Sequence, residues 1–332
     1  MEPPARTSAP TIGELGESAV LARVLPRLRS GEASLLGPGD DAAVVAAPDG
    51  RFVVTSDMMV QGPDFRLAWS TPHDLGWKAA ATNLTDVAAM GARPTALVVS
   101  IAAPVDLPVA VLEGIADGLR DALAELAPGA GVVGGDLSAS HALTIAVTAF
   151  GDLEGRSPVL RSGARPGDVI AHAGARGDAA RGLAVLFAEG RDEHGEPDAA
   201  SAAAARERHP RLVAAQLAPR PPVAAGVVAA LAGATAMLDV SDGLARDARR
   251  LAEASAVGID FRRGALGADP LTALAGAEDH GLLAAFPPGV VPPHPFEAIG
   301  TANADAGRLT LDGEPVDTSG WDPYAGWDGV EG

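Results

Sequence analysis

The sequence predicts a mixed α/β chain with α+β character, in two parts whose sheets are flanked by helices. Three observations carry this. Strand-like and helix-like stretches alternate in both halves of the 332 residues. Hairpin signals interrupt that alternation, so the sheets are expected to be mixed. A Gly-, Arg- and Ser-rich stretch at 151–167 breaks the chain near its middle, which places an N-terminal domain at 1–150 and a C-terminal domain at 151–332.

The elements follow in order. Residues 18–29 read as a first helix. Residues 42–47 and 51–56 read as the two strands of a hairpin around Pro48-Asp49-Gly50, a turn sequence. Thr71 before Pro72 is an N-cap followed by a first-turn proline, and the helix it opens is expected to run to Met90 and stop at Gly91. Strands are expected at 95–102, 131–134 and 143–150, with a helix at 108–126. Past the break come a strand at 168–173, a glycine-rich turn and a helix at 178–188. Residues 190–197 read as a mobile polar loop. A helix at 224–231, a strand at 234–239 and a helix at 244–254 precede a terminal region of short strands and proline-rich turns.

Composition excludes several classes. No cysteine is present, so thiolate nucleophiles, disulfides and cysteine-ligated metals are ruled out. The single lysine, Lys78, fits neither a phosphate-binding P-loop nor a protein-kinase strand lysine; it reads as a solvated or salt-bridging residue. A net charge of −18 with no basic stripe argues against nucleic acid. No apolar run is long enough for a membrane span, and residues 1–10 do not have the order of a signal peptide. The expected location is the cytoplasm.

Six aspartates, Asp41, Asp57, Asp86, Asp136, Asp239 and Asp242, fall at strand ends or helix starts or within an otherwise apolar helix. Any one alone reads as a cap or a turn residue. As a set they read as an oxygen-only ligand group for Mg²⁺. In the expected hairpin Asp57 lies beside Asp41, and like charges that close call for a cation. Asn83 and Asp86 share a helix face. Several Mg²⁺ ions held this way suit phosphoryl transfer from ATP without a lysine. Gly174-Ala175-Arg176-Gly177-Asp178, between a strand and a helix, is either a phosphate cradle or a structural turn. His73 reads as a surface residue.

These motifs, in this order, resemble the thiamine-monophosphate kinase family of the aminoimidazole-ribonucleotide-synthetase-like superfamily. The stretches that carry the resemblance are Gly39-Asp40-Asp41-Ala42-Ala43-Val44, Thr55-Ser56-Asp57, residues 78–92, Gly134-Gly135-Asp136, residues 161–168 and residues 238–244. The resemblance implies direct, in-line transfer of the ATP γ-phosphate to thiamine monophosphate, with Asp57, Asp86 and Asp136 catalytic. It implies a homodimer joined through the N-terminal sheets. It gives Asp41, Thr55, Ser56, Asp57, Asp86, Asp136, Asp239 and Asp242 as Mg²⁺ ligands, and Gly135, Asp136, Arg161 and Ser241 as ATP contacts. Glu278, in Gly276-Ala277-Glu278-Asp279, becomes a substrate contact, and Trp321, with Trp327 as rival, stacks on the pyrimidine. Asp64 stands where the family commonly has a substrate-binding histidine, and Arg66 is expected to supply the phosphate contact that the histidine would have made. The rival readings are a non-catalytic ATP-binding regulator, another ATP-dependent enzyme of the superfamily and a metal-dependent phosphatase.

Overall fold

A computed structural model describes residues 9–37 and 42–316. The strands Val53–Val60, Thr144–Asp152, Arg93–Ala103 and Gly131–Ala139 form a four-stranded sheet in that spatial order. The first two pairings are antiparallel and the last is parallel. The chain leaves this sheet at Asp152 and enters a seven-stranded sheet at Val169. There Val169–Ala173, Gly281–Phe286 and Ala236–Val240 lie side by side, and Ala236–Val240 is an edge strand.

The helix Pro72–Ala89 joins the two halves. Thr71 and Asp74 close a reciprocal capping box, Pro72 occupies the first turn, and Gly91 leaves the helix at φ +71°. This is the start and stop that the sequence predicts. The helix is buried on nearly every side. One side covers the four-stranded sheet. Another meets the helix Val109–Leu126 so closely that a Cβ on Gly118 would stand 2.1 Å from the His73 carbonyl oxygen. A third meets the helix Ala224–Leu231, where a Cβ on Gly226 would stand 2.0 Å from the Ala88 carbonyl oxygen. Glycine at these two crossings lets the backbones touch. Leu84, Leu97, Ile145 and Phe286 share one continuous core that reaches both sheets, and full burial of each such side chain contributes about 1.5–3 kcal/mol.

One expectation is corrected, and two stretches gain a local structure that the sequence did not give. The 42–56 hairpin does not form: Val44–Val45 pairs with Ser34–Leu36, and Val53–Val60 pairs with Thr144–Asp152, so Asp57 stands opposite Val147 rather than Ala42. Pairing with a long, buried, alternating strand outweighs a local turn signal. Two helices, Ala199–Arg208 and Pro210–Leu217, occupy a region that the sequence left unassigned. The 190–197 stretch is a closed turn in which Asp192 accepts N–H bonds from His194 and Glu196.

Candidate active site

Thr55 and Asp57 alternate with Ser56, so they project from one face of their strand, toward the Pro72–Ala89 helix. That helix supplies two partners. The Asn83 side-chain oxygen accepts the Asp57 N–H at 3.1 Å, and the Asp86 carboxylate accepts the Thr55 hydroxyl at 2.8 Å. Asp239 arrives from the far sheet, near the end of Ala236–Val240. Burial, then the charges of Asp239 and Asp57, push the Asp86 carboxyl up to about 7 against the opposing pull of Thr55 and Arg161. Burial, then the charge of Asp247, push Asp239 up to about 7 as well. Asp57, open to solvent, is raised by partial loss of water and by Asp242 and Asp64. Three elements thus deliver carboxylates whose negative charge the protein itself does not neutralise.

The loop after Asp239 is organised by Asp247, a buried carboxylate on the next helix. It accepts the N–H groups of Ser241 and Asp242 at 3.1 and 3.0 Å and takes the Arg250 guanidinium at 2.6 Å. Arg250 also binds Asp242 at 2.6 Å.

A cavity of about 110 Å³ opens beside the carboxylates, walled by Phe65, Trp69, Leu186 and Leu217 and edged by Asp64, Arg66 and Glu278. Lys78 is buried here, with its ammonium 2.6 Å from the Glu278 carboxylate. Gln216 donates to the same carboxylate oxygen at 2.5 Å. Burial alone would raise Glu278, but Lys78, His280 and Gln216 outweigh it and hold the carboxyl below its usual range. Glu278 and His280 both have positive φ, +67° and +51°, a conformation that costs about 1–3 kcal/mol at each non-glycine residue. Between them the Asp279 carboxylate takes the N–H of Gly177 and, at 2.8 Å, that of Ala179. The Glu278 N–H bonds the Ser241 carbonyl at 2.7 Å. These bonds hold the strained segment and aim Glu278 into the cavity.

The structure brings Thr55, Asp57, Asp86 and Asp239 together, and the charges of Arg161 and Asp242 act on them. Ser241 lies beside Asp239, toward which its hydroxyl is directed. It separates others. Asp136 and Gly135 sit on the opposite edge strand of the four-stranded sheet from Asp57, three strand spacings or about 14 Å away. Asp136 shares a row with Ser100, Ala146 and Met58, on the face turned from the helix, and its carboxylate accepts the Ser138 hydroxyl. The Ser56 hydroxyl also lies on that face, bonded to the Val147 carbonyl and accepting from Thr148. Neither side chain joins the cluster within one chain. The Asp242 carboxylate is occupied by its arginine partner. Asp64 caps its own turn by accepting the Val60 N–H at 2.7 Å; burial, then the charge of Glu278, raise its carboxyl against the pull of that bond and of Lys78. Arg66 lies 4.5 Å from the Trp69 ring and 4.9 Å from the Phe187 ring, which fixes its guanidinium at the cavity wall. The turn at Gly174 is structural, because Asp279 takes the N–H groups that a phosphate would use. His73 is half-exposed and faces Asp121. Asp41, Trp321 and Trp327 lie outside the described residues.

Sequence reasoning missed Gln216 and Asp247. Each sits in a short helix as an ordinary polar residue, and only the tertiary packing turns it toward the site.

Among the described residues no three carboxylate or imidazole side chains converge closely enough to hold a metal by themselves. Asp57, Asp86 and Asp239 feel one another's charge, and an oxygen-only donor set of this kind suits a hard cation that completes its shell with water and substrate oxygens.

Comparison with known proteins agrees with this geometry. The family described as AIR synthase related protein, N-terminal domain, matches residues 39–153. The thiamine-monophosphate kinase of Mycobacterium tuberculosis is 45% identical, across 97% of this chain and 93% of its own length. The crystal structure of thiamine-monophosphate kinase from Stenotrophomonas maltophilia is 28% identical and superposes with a TM-score of 0.72, over 90% of this chain and 96% of that one. A structure of AaThiL complexed with AMPPCP and TMP, also 28% identical, gives 0.70 over 95% and 99%. Mixed sheets, a carboxylate cluster at their junction and identity along nearly the whole length place this chain in the thiamine-monophosphate kinase family.

Proposed function

We propose that this protein transfers the γ-phosphate of ATP to the phosphate of thiamine monophosphate, giving ADP and thiamine diphosphate. The observation that carries the reading is the meeting of Asp57, Asp86 and Asp239, from two sheets and the helix between them, beside a cavity with an apolar wall. A phosphate oxygen of the acceptor attacks the γ-phosphorus, and the bond from phosphorus to the β-phosphate oxygen breaks in line with it. Magnesium ions, which Asp57, Asp86 and Asp239 would hold together with substrate oxygens, supply neutralisation of the charge that develops on the transferred group. Thr55 orients Asp86 and Asn83 fixes the backbone at Asp57; Arg161, whose charge acts on Asp86, and Ser241, beside Asp239, are read as the contacts to ATP oxygens. The bland alternative is an ATP-binding regulator. Incubation with ATP, Mg²⁺ and thiamine monophosphate separates the two: equal amounts of ADP and thiamine diphosphate are expected, and ATP binding without product would overturn the proposal.

The raised carboxyls make metal binding pH-dependent. Asp86 and Asp239 titrate near 7 in the folded chain and near 3.8 when unfolded. Their contribution to stability is therefore present below about 3.8 and lost as pH rises through about 7. His172 and His280, lowered by burial to about 3 and about 4 and titrating near 6.5 when unfolded, add stability as pH rises to about 6.5 and have little left to add above it, so the two carboxylates outweigh them between pH 6.5 and 8. Without metal, the melting temperature should fall across that window. Mg²⁺ with ATP should restore it, and the restoration should be larger at pH 8 than at pH 6.5. A flat difference across the window would argue against carboxylate ligation.

We read residues 1–150 and 151–332 as two domains that share this site. A homodimer accords with the outer face of the four-stranded sheet, where Phe52, Val54 and Met58 are exposed. A second copy of the chain would cover that face and place Asp136 and Ser56 at the interface. Solution mass at micromolar concentration tests this, and a monomer would contradict it. No helix among the described residues is long and apolar enough to cross a membrane, and a need for ATP accords with a cytoplasmic location.

A further inference from the structure

Gln216 is 5% exposed and lines the cavity. Its side-chain nitrogen must be the atom facing Glu278, because an ionised carboxylate accepts and does not donate. The other end of the amide, Oε1, is buried and has no hydrogen-bond partner. A buried acceptor left without a donor is rare in native structures and points to a missing ligand group. The amide has little freedom to turn away. Trp77, on the Pro72–Ala89 helix, donates to the Pro219 carbonyl at 2.6 Å and pins the segment just after Gln216. A Cβ on Gly182 would stand 3.2 Å from the Gln216 Cβ, so the two helices hold the residue between them.

We propose that Gln216 is a specificity residue, whose side-chain oxygen accepts a hydrogen bond from the exocyclic amine of the acceptor's aminopyrimidine ring. This rests on the kinase reading above and adds to it the orientation of the substrate. The groups run in the order of the molecule. Asp57 stands at the metal cluster, where the acceptor phosphate reacts. Asp64 lines the same cavity as Glu278 and its charge acts on both Asp57 and Glu278, which makes it the carboxylate available to the cationic thiazolium. Glu278 and Gln216 stand at the far end, where the aminopyrimidine arrives. The bonds that Glu278 accepts from Lys78 and from Gln216 fall on the same oxygen, Oε2. The ring amine thus meets an environment of acceptors. A 4-oxo ring would bring a carbonyl oxygen against them instead, and a site built to receive a donor rejects such an analogue strongly.

The test compares thiamine monophosphate with its 4-oxo analogue as phosphate acceptors. With native enzyme, kcat/KM for the 4-oxo compound should be at least ~100-fold lower. In Gln216→Met, which keeps the volume and removes the acceptor, KM for thiamine monophosphate should rise about tenfold with KM for ATP unchanged, and the preference should shrink below about tenfold. Equal use of both acceptors by native enzyme would overturn the inference and leave the kinase reading intact. So would a preference that survives in Gln216→Met. No turnover of thiamine monophosphate by native enzyme would overturn the kinase reading and this inference with it. The native comparison needs no variant, so misfolding of Gln216→Met does not remove the test.

Discussion

Asp86→Asn should lower kcat/KM at least ~100-fold and at the same time raise the melting temperature of the metal-free protein at pH 8. The two effects have one cause. Asn keeps the shape and an oxygen for the Thr55 hydroxyl, which now lies 2.8 Å from the carboxylate. It removes a charge that burial, Asp239 and Asp57 already oppose. At pH 8 the native carboxyl is ionised against that opposition at a cost of order a few kcal/mol, and relief of part of it should raise the melting temperature by roughly 2–5 °C. In the presence of Mg²⁺ and ATP the order should reverse, because the variant has lost a group that binds the folded state's ligand. Kinetics with and without metal, together with melting scans at pH 8, measure both halves. Near-normal activity would remove Asp86 from the reaction. A fall in metal-free stability would mean that the charge is satisfied by the protein itself.

What was legible in the sequence was local. The Thr71-Pro72 start and Gly91 stop fixed the long helix because capping depends on neighbours a few residues apart. Asp86 within that helix, and Asp239 near a strand end, could be singled out because carboxylates there conflict with their surroundings. What failed was long-range. Nothing near Val53–Val60 announces that its partner is Thr144–Asp152, while Pro48-Asp49-Gly50 announces a turn that joins no paired strands. The same limit applies to Asp136: order along the chain does not reveal that its strand and that of Asp57 lie at opposite edges of one sheet. The Ala199–Arg208 helix is nearly all alanine and arginine with little apolar contrast between its faces, so no period marked it. Gln216 has no sequence signal at all, since its role exists only where its helix crosses the Glu278 loop.

Lys78→Met should be the most destabilising of the substitutions considered, and its cost should depend on pH in a way that packing cannot mimic. The Lys78 side chain is 5% exposed and that of Glu278 is 31% exposed, with their charged atoms 2.6 Å apart. Methionine fills a similar volume in the helix but leaves the Glu278 carboxylate with Gln216 as its side-chain donor. Breaking a buried pair costs about 3–5 kcal/mol; partial exposure of Glu278 lowers that expectation to about 2–4 kcal/mol. The sign follows from the carboxyl, which is held below its ordinary value in the native chain. Such a group adds stability above its unfolded pKa of about 4.5 and loses it as pH falls through the folded value. Without Lys78 that contribution is gone, so native and variant should differ most near pH 7.5 and less near pH 3.5, below the unfolded value, where the native contribution is being lost. Urea unfolding of both proteins at the two pH values measures the difference. Adding Glu278→Gln to Lys78→Met should recover part of the stability at pH 7.5, because the orphaned charge is then absent. A penalty equal at both pH values, with no recovery in the double variant, would assign the loss to packing in the helix and leave Lys78 without the task of keeping Glu278 charged and aimed at the cavity.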